Sequence, residues 1–106
     1  KNMAITNYQV GTGTGSAAFT AGADTAVTVM YITNKTDGNG TVDIYVLPNG
    51  ASVSANHLVY TQLSIQARDT YVVDTEKMIL ETGAKIYIAA PDSAAQFNAT
   101  ISTIGL

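Results

Sequence analysis

The chain has 106 residues, a net charge of −3 and only 12% charged side chains, half the ~25% usual for a soluble domain. That length holds one core, and the lack of cysteine excludes disulfides, thiolate metal sites and a cysteine nucleophile. Lys1, Lys35, Arg68, Lys77 and Lys85 are too scattered to track a phosphate backbone, and no apolar run approaches the roughly 20 residues of a membrane-spanning helix, so neither nucleic acid nor membrane is an expected partner.

Short apolar stretches recur between clusters of Gly, Asn, Asp and Pro, and no window of helical length keeps a 3.6-residue period, so the chain reads as all-β. Lys1 and Asn2 precede Met3 as a tag remnant or the cut end of a longer product would, and no signal peptide is visible. A first strand is predicted at residues 5–10. The GTGTGS that follows breaks regular structure, making residues 1–16 an N-terminal strand or arm with a Gly-Thr linker, ahead of a sandwich domain at residues 17–106.

FTAGADT turns the chain around Gly22. Residues 26–33 form the strongest strand, with Val27, Val29 and Tyr31 on one face and Thr28, Met30 and Ile32 on the other; both faces are partly apolar, which places it centrally. The Asp-Gly-Asn-Gly at residues 37–40 is a hairpin signal, leading to a strand in which Val42, Ile44 and Val46 alternate with Thr41, Asp43 and Tyr45. Pro48, Asn49 and Gly50 end that strand, residues 52–56 form a polar loop and residues 57–65 resume extended structure.

Two similar segments follow, LSIQARDTYVVD (63–74) and MILETGAKIYIAA (78–90), each predicted to be a hairpin, with at most one helical turn at residues 74–77. A last strand at residues 96–103 sets Phe97, Ala99 and Ile101 against Asn98, Thr100 and Ser102. About eight short strands with frequent turns predict a two-sheet antiparallel β-sandwich, immunoglobulin-like or jelly-roll, without the Cys pair and Trp of true immunoglobulin domains.

The motifs that suggest chemistry each fail a physical requirement. Counting a calcium loop from Asp37 puts Asn39 and Thr41 at ligand positions, but Val42 stands where glycine is needed and Pro48 where a bidentate Glu is needed. GTGSAA, residues 13–18, matches a dinucleotide pattern but is followed by no helical run. His57 is the sole histidine, and no G-x-S-x-G elbow exists to present a nucleophile to it. Asp69, Asp74, Glu76 and Glu81 cluster in sequence and read as solvated turn residues, with a weak divalent-cation site as the lesser alternative, and the chain lacks the Trp platforms of a sugar cleft. Asn34 and Asn98 begin formal glycosylation sequons. The expectation is a non-enzymatic chain, with no catalytic, cofactor or metal residue, whose strand tyrosines 31, 45, 60, 71 and 87 are core or cross-strand partners and, where exposed, interface anchors.

Taken in order, FTAGADTAVTVMYITNKTDGNGTVDIYVLPNGASV and LVYTQLSIQARDTYVVDTEKMILETGAKIYIAA, nearly the whole chain from Phe19 onward, resemble small virion structural proteins of tailed bacteriophages, including those of cyanobacteria and marine bacteria. The resemblance lies in the succession of an Ala-Gly turn, a strand ending in Thr-Asn, a strand ending in Pro-x-Gly, then D-T-Y, D-T-E-K and L-E-x-G. It implies a β-sandwich subunit of the particle without enzymatic activity. A head decoration or cement protein is the first choice, on the outer capsid surface, often trimeric, bridging the major capsid protein; a neck, tail or fibre-attachment protein is the alternative. A carbohydrate-binding sandwich for host recognition is the reading from another class, and tyrosines would supply its aromatic platform.

Overall fold

The structure, a computed structural model, describes residues 3–14, 16–74, 78–91 and 96–106. Among these the strands are β1 (Met3–Val10), β2 (Phe19–Thr20), β3 (Thr25–Asn34), β4 (Gly40–Leu47), β5 (Leu58–Ile65), β6 (Thr70–Val73), β7 (Met78–Leu80), β8 (Lys85–Ala89) and β9 (Phe97–Gly105). A 3₁₀ turn, Ala55–His57, precedes β5 and is capped by the Ser54 hydroxyl, which accepts the Asn56 N–H at 3.3 Å. His57 therefore belongs to this turn, and extended structure resumes at Leu58.

The strands build two antiparallel sheets, as predicted. The first has the order β1-β9-β3-β6, with β7 also on β3, and the second β2-β8-β4-β5. Since β6 pairs with residues 30–33 of β3 and β7 with residues 25–27, the two lie in line along one edge of the sheet. Counted so, each sheet has four strands in the order of a jelly roll, which decides between the two predicted topologies. Apart from Asp74, the possible helical turn at residues 74–77 lies outside the described residues.

Three predicted hairpins are corrected. β3 and β4 lie in different sheets, as do β5 and β6, and β7 and β8, so the turns at residues 37–40, 66–69 and 81–84 each carry the chain between sheets. Gly, Asn and Asp mark a reversal of the chain whether or not the flanking strands hydrogen-bond to each other, which is why local turn chemistry misplaced them. β4 and β5, joined through the loop after Pro48, do pair directly.

β3 is central in its sheet, between β9 and the β6/β7 edge. Its faces differ from expectation because a bulge at Thr28 shifts the register between Val27, opposite Thr103, and Val29, opposite Ser102. The Thr28 hydroxyl donates to the Ser102 carbonyl at 3.1 Å, tying the extra residue to β9. Thr25 and Val27 are buried before the bulge, and Met30, Ile32 and Asn34 after it, so Val27 enters the core while Tyr31 points out. Since both faces of this strand are partly apolar, a one-residue slip left no trace in the sequence.

The core lies between the sheets. Met30, Ile32, Phe97, Ala99 and Ile101 of the first meet Val42, Ile44, Ile86 and Ile88 of the second, all at 0% exposure. Burying each of the larger side chains contributes about 2 kcal/mol. Tyr60 of β5 and Tyr71 of β6 pack edge to face at 6.2 Å along one open side of the sandwich. Tyr8 of β1 packs against the core and donates its hydroxyl to the Ser16 carbonyl at 3.3 Å.

The expected N-terminal arm is joined to the sandwich through β1, which pairs with β9 in unbroken register from Met3 opposite Ile104 to Val10 opposite Phe97. Hydrogen bonding, more than packing, holds it there, since Val10 alone of its residues is buried. Beyond it the chain crosses to the second sheet, where Gly11 accepts the Ala90 N–H at 2.9 Å.

Candidate interaction surface

In each strand alternate residues face away from the core, and cross-strand pairing collects these into rows. On the first sheet one row runs Gln9, Asn98, Thr33, Thr70 and the next Asn7, Thr100, Tyr31, Val72. The third holds Ile5, Ser102 and Val29, and the fourth Met3, Ile104, Ala26 and Ile79. These strand positions include no charged residue; the exposed Asp74, first past β6, marks the border.

The rows grade from polar to apolar. At the polar end the Thr33 and Thr70 hydroxyls share a hydrogen bond at 2.9 Å, and Thr100 donates to Asn7 Oδ1 at 2.9 Å. At the apolar end Met3 is 80% exposed, Ile5 70% and Ile79 66%, with Tyr31 and Val72 paired between the ends. Burial elsewhere in the protein would be favourable for these side chains, and nothing in the fold requires them to be apolar at this exposure.

The outer face of the second sheet differs. There Asp43 lies opposite Ala89, Tyr45 opposite Tyr87 and Leu47 opposite Lys85, with Ala89 and Leu47 buried. Asp43 serves the fold, since its Oδ1 accepts the Gln62 N–H at 2.7 Å and fixes a kink of β5 where Gln62 adopts φ 52°. Tyr45 and Tyr87 are half-buried neighbours.

An open cavity of about 450 Å³ lies at one end of the sandwich, lined by Leu47, Pro48, Ile79, Leu80 and Leu106, with Asp24 and Glu81 on its wall. Asp24 Oδ1 is engaged, accepting the Thr82 N–H at 2.9 Å and the Thr82 hydroxyl at 3.1 Å. Ile79 belongs to both the cavity and the apolar row, so the two are continuous.

The remaining sequence motifs are placed as follows. Asp37 receives Arg68 Nε at 2.9 Å and Asn39 Oδ1 receives the Ala67 N–H at 2.9 Å, so the calcium-like loop is a brace between two crossings. Residues 16–18 run into β2, and Gly15 lies outside the described residues. His57 Nδ1 lies 3.3 Å from Ser54 Oγ. The carboxylates clustered in sequence are parted by the fold: the Asp69 carbonyl accepts the Asn34 N–H at the end of β3, Glu81 lines the cavity at the opposite end, and Glu76 lies outside the described residues. Asn34 is fully buried with its side-chain amide engaged, which removes the first sequon as an acceptor on the folded chain, whereas Asn98 is exposed on the charge-free face. Among the described residues no group of His, Cys, Asp and Glu is arranged to hold a metal ion.

The sequence signal for the charge-free face was its low overall charge; locating it required the bulge and the strand order. Comparison with family models, with curated proteins and with solved structures finds no match to this chain.

Proposed function

We propose that this chain is a non-enzymatic structural protein of a tailed-bacteriophage particle, a capsid decoration or cement protein that binds the major capsid protein through the outer face of its first sheet. The observation that carries the reading is that face: four cross-strand rows without charge, with exposed Met3, Ile5, Tyr31, Val72 and Ile79. Depletion of charge together with Tyr and Met is the composition of the centre of a protein interface. The order of parts from Phe19 onward, which resembles virion structural proteins, supplies the particle. The jelly-roll order supports it by analogy alone, since the architecture also serves lectins and enzymes.

The face is on the order of 450 Å² by strand spacing and length, below the roughly 800 Å² per partner of a stable complex. One copy therefore binds weakly, and repetition by symmetry supplies the holding force that a cement needs. Heads assembled without the chain, titrated with purified protein, should bind it saturably and survive heating better. Placing Lys at both Tyr31 and Val72 should weaken that binding at least tenfold, about 1.4 kcal/mol, while the cross-strand pair of lysines lowers the melting temperature by no more than about 8 °C. Binding to necks or tails instead would move the assignment there, and binding to no part of the particle would refute it.

The second reading, a carbohydrate-binding module, is favoured by the Tyr45–Tyr87 pair on the second sheet, two neighbouring rings beside Asp43. A glycan array that gives no signal removes it.

A further inference from the structure

The four sheet edges of the molecule are unequal. β2 is two residues long, β6 four and β7 three. β5 breaks register with β4 at two places and carries the positive φ of Gln62. Short, interrupted or kinked edges resist pairing with another chain. β1 has none of these protections: its eight residues, MAITNYQV, include no charge, proline or glycine, and its register with β9 has no shift. Among the described residues β9 is its only strand partner.

We propose that β1 pairs with β1 of a second copy, antiparallel about a two-fold axis, to join two first sheets into one continuous sheet. Two features of the chain select a second copy as the occupant. First, each molecule carries a net charge of −3, and the β1 edge with its charge-free face is where two such molecules meet without bringing like charges together. Second, an antiparallel strand complements itself, and because β1 is the one unprotected edge among the described residues the pairing consumes both copies of it and stops at two. Odd-numbered residues lie opposite odd-numbered ones, so Met3, Ile5, Asn7 and Gln9 of both copies fall on the same side and the charge-free faces merge. The resemblance to phage proteins implies trimers; this edge favours a two-fold pair, whether or not the merged face binds a capsid.

The paired edges bury roughly 300 Å² per copy from strand length and sheet thickness, less than half of a standard interface. The dimer is therefore concentration-dependent. Sedimentation equilibrium of the full chain alone, from low micromolar to near-millimolar, should show the mass rising from 11.0 kDa and levelling at twice that value. Ile5→Lys should hold the chain at the monomer mass with its melting temperature unchanged, while Val59→Lys on the β5 edge should leave dimerisation as in the parent. In the parent, amide exchange in β1 should slow as concentration rises, with no such change in β5. The proposal is overturned if the parent stays monomeric throughout, if it grows beyond two, or if exchange in β1 ignores concentration. Dimerisation that survives Ile5→Lys, or that is lost equally in Val59→Lys, overturns it as well. The protein alone is used, so a failure here leaves the head-binding result untouched, and the reverse also holds.

Discussion

At each end of the sandwich two sheet-crossing segments grip one another, and the two grips share a hydrogen-bond pattern. Where β3 ends, Asn34 N–H donates to Asp69 O at 2.9 Å, Arg68 N–H to Thr36 O at 3.1 Å and Ala67 N–H to Asn39 Oδ1 at 2.9 Å. Where β3 begins, Ala21 N–H donates to Ala84 O at 2.9 Å, Gly83 N–H to Ala21 O at 2.7 Å and Thr82 N–H to Asp24 Oδ1 at 2.9 Å. Both turns close on themselves, Asp69 N–H on Gln66 O at 3.1 Å and Ala84 N–H on Glu81 O at 3.0 Å, and both put their third residue at positive φ, Arg68 at 61° and Gly83 at 89°. The ends differ in what fills them. At the first, the Asn34 amide donates to Gly38 O and Ile65 O and accepts from Thr36 N–H and Oγ1; at the second, the 450 Å³ cavity opens. Turn chemistry thus sets the crossing, and the side chains placed inside it decide whether that end is sealed.

The largest effect should come from breaking the seal. Asn34→Ala strips the buried Ile65 carbonyl and the part-buried Gly38 carbonyl and Thr36 N–H of their partner at once, which costs about 3 kcal/mol. For a domain of this size that lowers Tm by about 15 °C. A loss under about 1 kcal/mol in thermal or urea unfolding would mean that water replaces the amide and that the two ends are alike after all. Next comes Gly83→Ala. A Cβ there would meet Asn49 Cγ and Oδ1 at 2.5 Å, on a backbone that already disfavours any side chain. Together these cost about 2 kcal/mol, or about 10 °C in Tm.

The same two grips show how far the sequence carries. The similarity between residues 63–74 and 78–90 was visible and is structural, since both segments hold the same turn in the same setting. Whether such a turn returns to its own sheet or crosses to the other depends on pairing with strands far along the chain, β4 with β5 and β3 with both β6 and β7, which no local pattern encodes. Alternation was legible wherever one face was polar, as in β9, whose Phe97, Ala99 and Ile101 are buried as expected. It failed at Thr28, where apolar residues on both faces hid the bulge. The charge-free face was legible as a composition but not as a place: Met3 and Ile104 lie at opposite ends of the sequence and become neighbours through β1 and β9.

Asn49→Gly added to Gly83→Ala separates the two components at the open end. It removes the side chain that a new Cβ would strike and leaves the backbone conformation as it was. If crowding and backbone strain contribute comparably, the double variant should cost about 1 kcal/mol less than the sum of Asn49→Gly and Gly83→Ala measured singly, a coupling that a thermal unfolding cycle resolves. No coupling would place the whole cost in the positive φ.

Arg68→Gly makes the first end resemble the second and should do least. Glycine relieves a left-handed conformation that costs an ordinary residue about 1 kcal/mol, but it gives back a similar amount by loosening the unfolded chain. The other loss is the Arg68 Nε to Asp37 Oδ1 pair at 2.9 Å, whose side chains are 66% and 89% exposed. Water and salt screen such a pair to at most about 1 kcal/mol. The terms nearly cancel, so Tm should move by no more than about 5 °C in either direction, and added salt should change the difference between parent and variant by no more than the small share of the ion pair. A fall of more than about 10 °C, matched by Asp37→Asn and reduced in high salt, would show that the sealed end is held by its ion pair, and Asn34 would lose the leading part assigned to it.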